Sequence, residues 1–340
     1  MKILVTGGCG YIGSHACLLL LSQNHDVVVL DNLRNSSSVS IDKIKALTGK
    51  KIELIRGDVC NRNSLDNLFE KHTFDAVMHF AGLKSVAESV QDPSSYYAVN
   101  VCGTLTLCKS MIKANVRNLI FSSSCTVYGE PRVCPVNESY KQTSPVNPYG
   151  RSKLMAEQIL EDLCSSNTDL SVGVLRYFNP VGAHESGVIG EDPRGTPSNL
   201  FPYITQVMVG RRPQLMVYGN DYNTKDGTGI RDYIHVMDLV KGHANALLKI
   251  QLERGYHVWN LGTGHGYSVL EVIKMFEEVL SAKIPYRILP RRPGDISRNY
   301  ADVSKAFVEL GWRPENDLSA MVRDAYQWQL RNPNGYQGVS

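Results

Sequence analysis

Tyr149 and Lys153, in the segment NPYGRSK (147–153), set a phenol and an ammonium four residues apart. On a helix, positions i and i+4 stack on one face, so the two groups can serve the same reacting atom. An isolated tyrosine has a pKa of about 10, which leaves about one molecule in a thousand as phenolate at pH 7. A neighbouring ammonium favours the phenolate and would make the pair a general base for an alcohol proton. A solvated pair on an amphipathic helix shows the same spacing. The elements around the pair decide between the two.

The first 180 residues alternate short apolar runs with helical stretches. Strands are expected at KILVT (2–6), DVVVL (26–30), KIELI (51–55), DAVMHF (75–80), NLIFSS (118–123) and SVGVLRYF (171–178). Apolar periodicity near 11–22, 61–72, 94–115 and 149–165 predicts helices between them. Near-continuous apolar strands separated by helices imply a parallel sheet covered on both faces, a Rossmann-type doubly wound α/β fold. After Pro180 come the turn-rich loops GVIGEDPRGTPSN (187–199) and GNDYNTKDGTG (219–229), then shorter elements near 238–250, 256–262 and 269–280. The expected division is a dinucleotide-binding domain, 1–180, and a smaller mixed α/β substrate domain, 181–340. The ligand would lie in the cleft between them, with some late elements packing back on the first domain.

TGGCGYIGSH (6–15) follows the first strand and opens the first helix, with glycines at 7, 10 and 13. Gly7 suits a tight turn, Gly10 a close approach of backbone to a pyrophosphate, and Gly13 close helix–strand packing, with the anion at the helix N-terminus. Asp31, ending the second strand, would accept from the adenosine ribose and repel a 2′-phosphate, which favours NAD over NADP; Arg34 is the residue that could instead greet such a phosphate. Asp58 would lie at the adenine, and Phe80, Ala81, Gly82 and Lys84, after the fourth strand, along the cofactor. Ser122 and Ser124 emerge from the fifth strand at the same sheet edge, beside the helix that opens at Tyr149. Serine, tyrosine and lysine thus converge on the nicotinamide end of the dinucleotide, whose positive ring would lower the tyrosine pKa further.

Composition narrows the alternatives. Hydrophobic content of 43% and charged content of 20% describe an ordinary globular chain, and 36 basic against 33 acidic side chains leave a net charge of only +3. No basic stripe suggests nucleic acid or a membrane surface. The longest apolar runs, such as ACLLLL (16–21), fall far short of the about 20 residues a bilayer span needs. Eight cysteines without a CxxC pair or matching histidines argue against a metal site and for reduced thiols in the cytoplasm.

Together these motifs resemble the extended short-chain dehydrogenase/reductase family, and within it the enzymes that invert C4 of UDP-linked sugars. The resemblance runs almost end to end, through DNLRNSS, HFAGLKSVAESV, FSSSCTVYG, SPVNPYGRSKLMAEQIL, LRYFNPVGAHESG, GTGIRDYIHVMDL, WNLGTG and PRRPGD. It implies Tyr149 as base, Lys153 as its activator and Ser124 as partner of the reacting oxygen. It implies Tyr11, Ile12, Asp31, Asn32, Asn35, Ser36, Asp58, Val59, Phe80, Lys84 and Phe178 around NAD. Asn100 is assigned there too, although Val99 stands where the family often has a second asparagine. Asn179, Asn199, Leu200, Arg231, Arg292 and Asp295 would meet the nucleotide sugar, the two arginines suiting a diphosphate through forked donors. The implied reaction interconverts UDP-glucose and UDP-galactose through a transient 4-keto sugar on retained NAD, in a homodimer.

Two other functions are weighed against this one. Nucleotide-sugar 4,6-dehydratases share fold, NAD and the Tyr/Lys pair, but carry an Asp–Glu pair just after the fifth strand, where this chain has Cys125 and Thr126. A non-catalytic NAD sensor need not keep Ser124, Tyr149 and Lys153 together. His235 reads as a structural histidine before a helix that Asp238 caps, and Cys125 as a packed small hydrophobe. Position 299 is Asn, where hexose-restricted members have Tyr. An N-acetyl group would then fit, adding UDP-N-acetylglucosamine and UDP-N-acetylgalactosamine as substrates, unless Tyr300 fills the wall.

Overall fold

The apolar runs pair side by side because both faces of each must be buried. In chain order β1 (Lys2–Thr6), β2 (Asp26–Asp31), β3 (Glu53–Arg56), β4 (Ala76–His79), β5 (Asn118–Ser124) and β6 (Ser171–Tyr177) fall on the expected strands. Between them lie α1 (Tyr11–Ser22), α2 (Val39–Thr48), α3 (Arg62–Lys71), α4 (Val86–Gln91), α5 (Pro93–Tyr96), α6 (Thr104–Lys113) and α7 (Pro148–Ser166), with a π-helical turn at Tyr97–Gly103 joining α5 to α6. The computed structural model describes residues 1–140, 143–292 and 294–338. In this half of the chain, two helices were not expected. The serine-rich run before α2 reads as a turn, and α2 buries only Ile41 and Ile44 among its apolar side chains before ending at Gly49; α4 has six residues, too few to show a period.

The second half supplies β7 (Asn179–Val181), α8 (Leu200–Met208), β8 (Leu215–Tyr218), β9 (Ile230–His235), α9 (Val236–Leu252) and β10 (Gly255–Leu261). It continues through β11 (Gly266–Ser268), α10 (Val269–Leu280), β12 (Tyr286–Leu289), β13 (Arg298–Asn299), α11 (Ser304–Leu310) and α12 (Leu318–Arg331). Seven parallel strands form the main sheet in the order β10-β6-β5-β4-β1-β2-β3. A boundary at 180 therefore does not divide the chain cleanly: β10 completes the first sheet, and α9 covers it beside α1. The reason is burial, since β6 would otherwise expose an apolar edge. Alternation along β1 shows the two faces, with Ile3 and Val5 packing with Leu20, Leu21, Leu247 and Ile250, and Leu4 packing with Leu107, Met111, Ala156 and Leu160.

The remaining strands build a smaller layer from β7, β9, β11 and β13, and a two-stranded pair of β8 with β12. Their core gathers Phe201, Tyr233, Phe276 and Met321. In the main sheet the order reverses between β1 and β4, which opens a crevice at the carboxyl ends of the strands, the usual ligand position in such folds. Because β7 begins two residues after β6 ends, the smaller layer starts at that same edge. Among the described residues, no helix is long and apolar enough to cross a membrane.

Candidate active site

The glycine loop sits at the crevice. Gly7 turns with a φ of +72°, and a Cβ on Gly13 would lie 2.2 Å from the Gly7 carbonyl, so only glycine allows α1 to start this close to β1. No side chain caps α1, and its first internal bond is Ser14 N–H to Gly10 O, 2.9 Å. The amides of Tyr11, Ile12 and Gly13 are thus left for an outside acceptor, which fits a pyrophosphate at a helix N-terminus. Asp31 does more than expected. Its carboxylate accepts from Cys9 N (3.0 Å), Leu33 N (2.9 Å) and the Ser36 hydroxyl (2.8 Å), tying the glycine loop to the loop after β2. That leaves about one of four lone-pair positions for a ribose hydroxyl. Ser36 is engaged with Asp31 in the same way, while Asn32 donates to Asp58 (2.8 Å) and Asn35 stays exposed. Burial raises the Asp58 pKa, but hydrogen bonds from Cys60 N and Asn32, with the nearby Arg34 charge, outweigh it and hold the carboxyl below its ordinary value. Val59 is buried in the core.

The segment after β4 is held from below. The Asn100 amide accepts from Leu83 N (2.8 Å) and donates to Leu83 O (3.0 Å) and the Ser152 hydroxyl (2.9 Å). Its polar atoms thus clamp the segment at Leu83 from below. The widened π turn is what carries Asn100 to this position. Phe80 packs on the His243 ring at 4.9 Å. Lys84 reaches Glu191 (3.0 Å), which also accepts from Asn199 Nδ2 (3.0 Å), so a residue absent from the sequence reading joins one expected cofactor residue to one expected substrate residue.

Helix α7 starts with Asn147 as its cap, accepting from Gly150 N at 2.9 Å, and Pro148 in its first turn. A Cβ on Gly150 would meet the Thr126 carbonyl at 2.9 Å, so glycine lets α7 dock directly on the short 3-10 turn Cys125–Tyr128 that follows β5. This docking brings Tyr149 to Ser124. Lys153 is buried, donates to Ser122 O (2.8 Å) and lies over the Phe121 ring (5.0 Å). Burial brings its pKa down from 10.5 to about 8, against the opposing pull of the Glu157 carboxylate one turn along. Burial also pushes the Tyr149 phenol up to about 12, with a smaller lowering from its hydrogen bond with Ser124. The Lys153 ammonium is turned toward a backbone carbonyl, and burial is the dominant influence on the Tyr149 phenol. Cys125 is buried, and burial pushes its thiol up to about 12, in keeping with a packed small hydrophobe.

On the substrate side, Asn179 opens β7 opposite Tyr233, and Phe178 before it is buried against Cys125 and Ala301. Leu200 is the first residue of α8. Arg231 and Asn299 are register partners of β9 and β13. Arg292 stacks over Tyr218 (4.7 Å) and pairs with Asp295 at 2.9 Å, so the two residues expected to hold separate parts of a nucleotide stand side by side. Tyr300 donates its hydroxyl to Cys134 O at 3.2 Å, whereas Asn299 is buried with its Oδ1 lacking any partner. His235 caps α9 through Met237 N and donates to Asp324 (3.0 Å); Asp238 instead accepts from the 315–316 backbone, so the cap belongs to the histidine. No metal-binding cluster occurs among the described residues.

Sequence reasoning missed Glu191, Glu157 and Asp232. Glu157 had a signal, being four residues from Lys153. Asp232 is fully buried and accepts from Thr263, Gly264 and Ala301, holding the turn between β10 and β11 to the chain just after β13. Its partners lie more than thirty positions away, with no local pattern to betray them.

A family model described as GDP-mannose 4,6 dehydratase matches residues 4–325. The UDP-glucose 4-epimerase of Pasteurella multocida is 53% identical over 337 residues, covering 99% of this chain and all of that one. The solved UDP-glucose 4-epimerase from Bifidobacterium longum, in complex with NAD+ and UDP, aligns with a TM-score of 0.96 at 50% identity over 98% of this chain and 100% of that one. The UDP-Glc/GlcNAc 4-epimerase from Campylobacter jejuni aligns at 0.84 with 37% identity, over 97% and 99%. With half its residues shared along nearly its whole length and the same fold throughout, the chain belongs to the UDP-glucose 4-epimerase family of extended short-chain dehydrogenases/reductases.

Proposed function

We propose that this protein interconverts UDP-glucose and UDP-galactose by inverting C4, and that it also accepts the corresponding N-acetylhexosamines. The observation that carries the reading is the meeting of Ser124, Tyr149 and Lys153 beside an uncapped glycine-loop helix, with Cys125 and Thr126 in place of any carboxylate. The uncapped amides of α1 hold the pyrophosphate of NAD, and the loops after β2, β3 and β4 flank its adenosine and ribose. When bound, NAD supplies a reversible two-electron acceptor for the hydrogen on C4.

Every other part of the reaction falls to the chain. Ser124 donates to the C4 oxygen and orients it. Tyr149 takes the C4 hydroxyl proton and later returns it. Lys153 would stabilise the phenolate. The positive ring that bound NAD would bring beside Tyr149 would add to this, against the raising of its pKa by burial. Arg231 and Arg292 grip the diphosphate, Asn179, Asn199 and Leu200 line the nucleotide path, and Asp295 turns from Arg292 to a ribose hydroxyl. Residues 1–180, completed by β10, form the NAD-binding part, and most of 181–340 the UDP-sugar part. The family model's description names a dehydratase, but removal of water from C5 and C6 needs a proton donor that Cys125 and Thr126 cannot supply.

The N-acetyl reading rests on Asn299. Successive strand residues face opposite ways, and Tyr300 is committed to Cys134, so the smaller asparagine forms the wall. Its unpartnered Oδ1 can accept an N–H. The reading also includes a homodimer, after the family, and a cytoplasmic location, which suits eight cysteines free of disulfides. The test is a side-by-side assay of both sugar pairs with purified protein. Comparable turnover supports the dual reading, and hexose turnover alone removes the N-acetyl part. A 4-keto-6-deoxy product would overturn the epimerase reading itself.

A further inference from the structure

The loop between β7 and α8 crosses the crevice rather than hanging free. At its base, Trp328 donates to Glu191 O (3.1 Å) and Asp192 accepts from Tyr336 N (2.9 Å), fixing it to the end of α12. Midway, the Glu191 carboxylate binds Lys84 in the loop after β4. At its tip, the Arg194 guanidinium donates to three carbonyls of the loop after β2: Arg34 O (2.7 Å), Ser36 O (2.9 Å) and Leu33 O (3.2 Å). A second guanidinium, Arg212 from beyond α8, holds the next residue through Gly195 O at 3.2 Å.

The sheet order gives these contacts their meaning. β4 and β2 are the two neighbours of β1, and β1 feeds the glycine loop. A segment tied to the loop after β4 at one point and to the loop after β2 at another must pass over the carboxyl end of β1. One guanidinium serving three carbonyls is also an uncommon use of an exposed arginine, since each of those carbonyls could be satisfied by water. Asp31 holds the same 33–36 loop from the inner side through Leu33 N and Ser36 Oγ, so the loop is gripped from both sides.

We infer that residues 190–195 are a strap closed over the dinucleotide, and that Arg194 is its latch, a positioning residue that keeps NAD bound between turnovers. This rests on the NAD reading above and deepens it. An epimerase that regains its oxidised cofactor in each cycle has no use for exchange, and the latch supplies slow release without touching the reacting atoms. Arg194 acts on the loop that flanks the adenosine ribose and leaves the diphosphate-binding arginines of the sugar side alone.

The test uses holoenzyme freed of loose nucleotide by gel filtration, followed by the rate at which NAD appears in the filtrate. Arg194→Ala should release NAD at least about tenfold faster than the wild type, a factor that corresponds to about 1.4 kcal/mol. Its affinity for UDP should match the wild type, because Arg194 bonds only the loop after β2 on the dinucleotide side. Arg194→Lys keeps the charge but cannot serve three carbonyls at once, and should release NAD at an intermediate rate; it decides the matter if the alanine variant does not fold. Wild-type release rates in both variants would overturn the latch. So would a parallel loss of UDP affinity and melting temperature in Arg194→Lys, which would mark Arg194 as a general structural residue. A wild-type protein that neither carries nor takes up NAD would instead remove the underlying NAD reading, and the latch with it.

Discussion

Tyr149 and Lys153 are shifted in opposite directions by one cause. Burial pushes the Tyr149 phenol up to about 12 and brings the Lys153 ammonium down to about 8. The sign follows from desolvation, which disfavours the charged form of each: upward for an acid that ionises to an anion, downward for a protonated amine. Filling the site should therefore lower the Tyr149 pKa, and titration of phenolate absorbance with and without NAD, using Tyr149→Phe as the blank, should show the shift. The Tyr149→Phe variant should lose about 10²–10⁴ of turnover, the usual contribution of a positioned general base, while binding UDP normally. At the far end of the site, Asn299→Tyr should cut turnover of UDP-N-acetylglucosamine by about 10–200-fold relative to UDP-glucose, the range that steric discrimination in a pocket supplies. The Tyr/Lys pair was legible in the sequence because i and i+4 is a local spacing. The state of the pair was not, since it depends on Ser122 O, Phe121 and burial, which the fold brings in from another strand.

At the scale of elements, the site is made by how helices begin. α1 begins uncapped on glycine and leaves its amides free, while α7 begins capped by Asn147 and presses Gly150 against the turn after β5. Asn147→Ala should destabilise the protein by about 1 kcal/mol, the ordinary worth of such a cap, and should lower kcat more than it raises KM, because Tyr149 lies within the first turn. Denaturant titration and steady-state kinetics would check the two parts. Farther along α7, Glu157 makes a buried pair with Arg176 and also favours the Lys153 ammonium. Glu157→Gln leaves Arg176 uncompensated and should cost about 3–5 kcal/mol of stability. The glycine loop and α7 could be read from sequence since their signals sit within ten residues. The π turn, the clamp made by Asn100 and the strap could not, because each draws its partners from loops that meet only at the sheet's carboxyl edge. Asn100 and Lys84 likewise find partners within the protein that no local pattern announces.

The whole molecule is built around one parallel sheet whose last strand arrives late. β10 comes from the second half of the chain and closes that sheet, with α9 packed on it. That integration depends on buried neutral histidines. Desolvation, above all other causes, lowers His15 and His79 to about 3 and His243 to about 4. The unfolded chain binds protons at these histidines near pH 6.5 and the folded one does not, so stability is full above that pH and falls as pH drops below it. Each group contributes about 1.4 kcal/mol per pH unit in that window. Melting temperature should accordingly fall steeply between pH 6 and 4, and a flat profile there would argue that these rings are hydrated. The parallel, doubly wound architecture was legible because continuous apolar strands alternating with helices permit little else. The division at residue 180 was not clean because an edge strand's partner is chosen by burial, not by sequence order. Above all, the fold and site are read as serving inversion at C4 on a retained cofactor. The most direct measurement supplies UDP-galactose deuterated at C4 to the purified protein in ordinary water with no NAD added. The expected product is UDP-glucose that keeps its deuterium at C4. Loss of the label to solvent, or no product without added NAD, would contradict it.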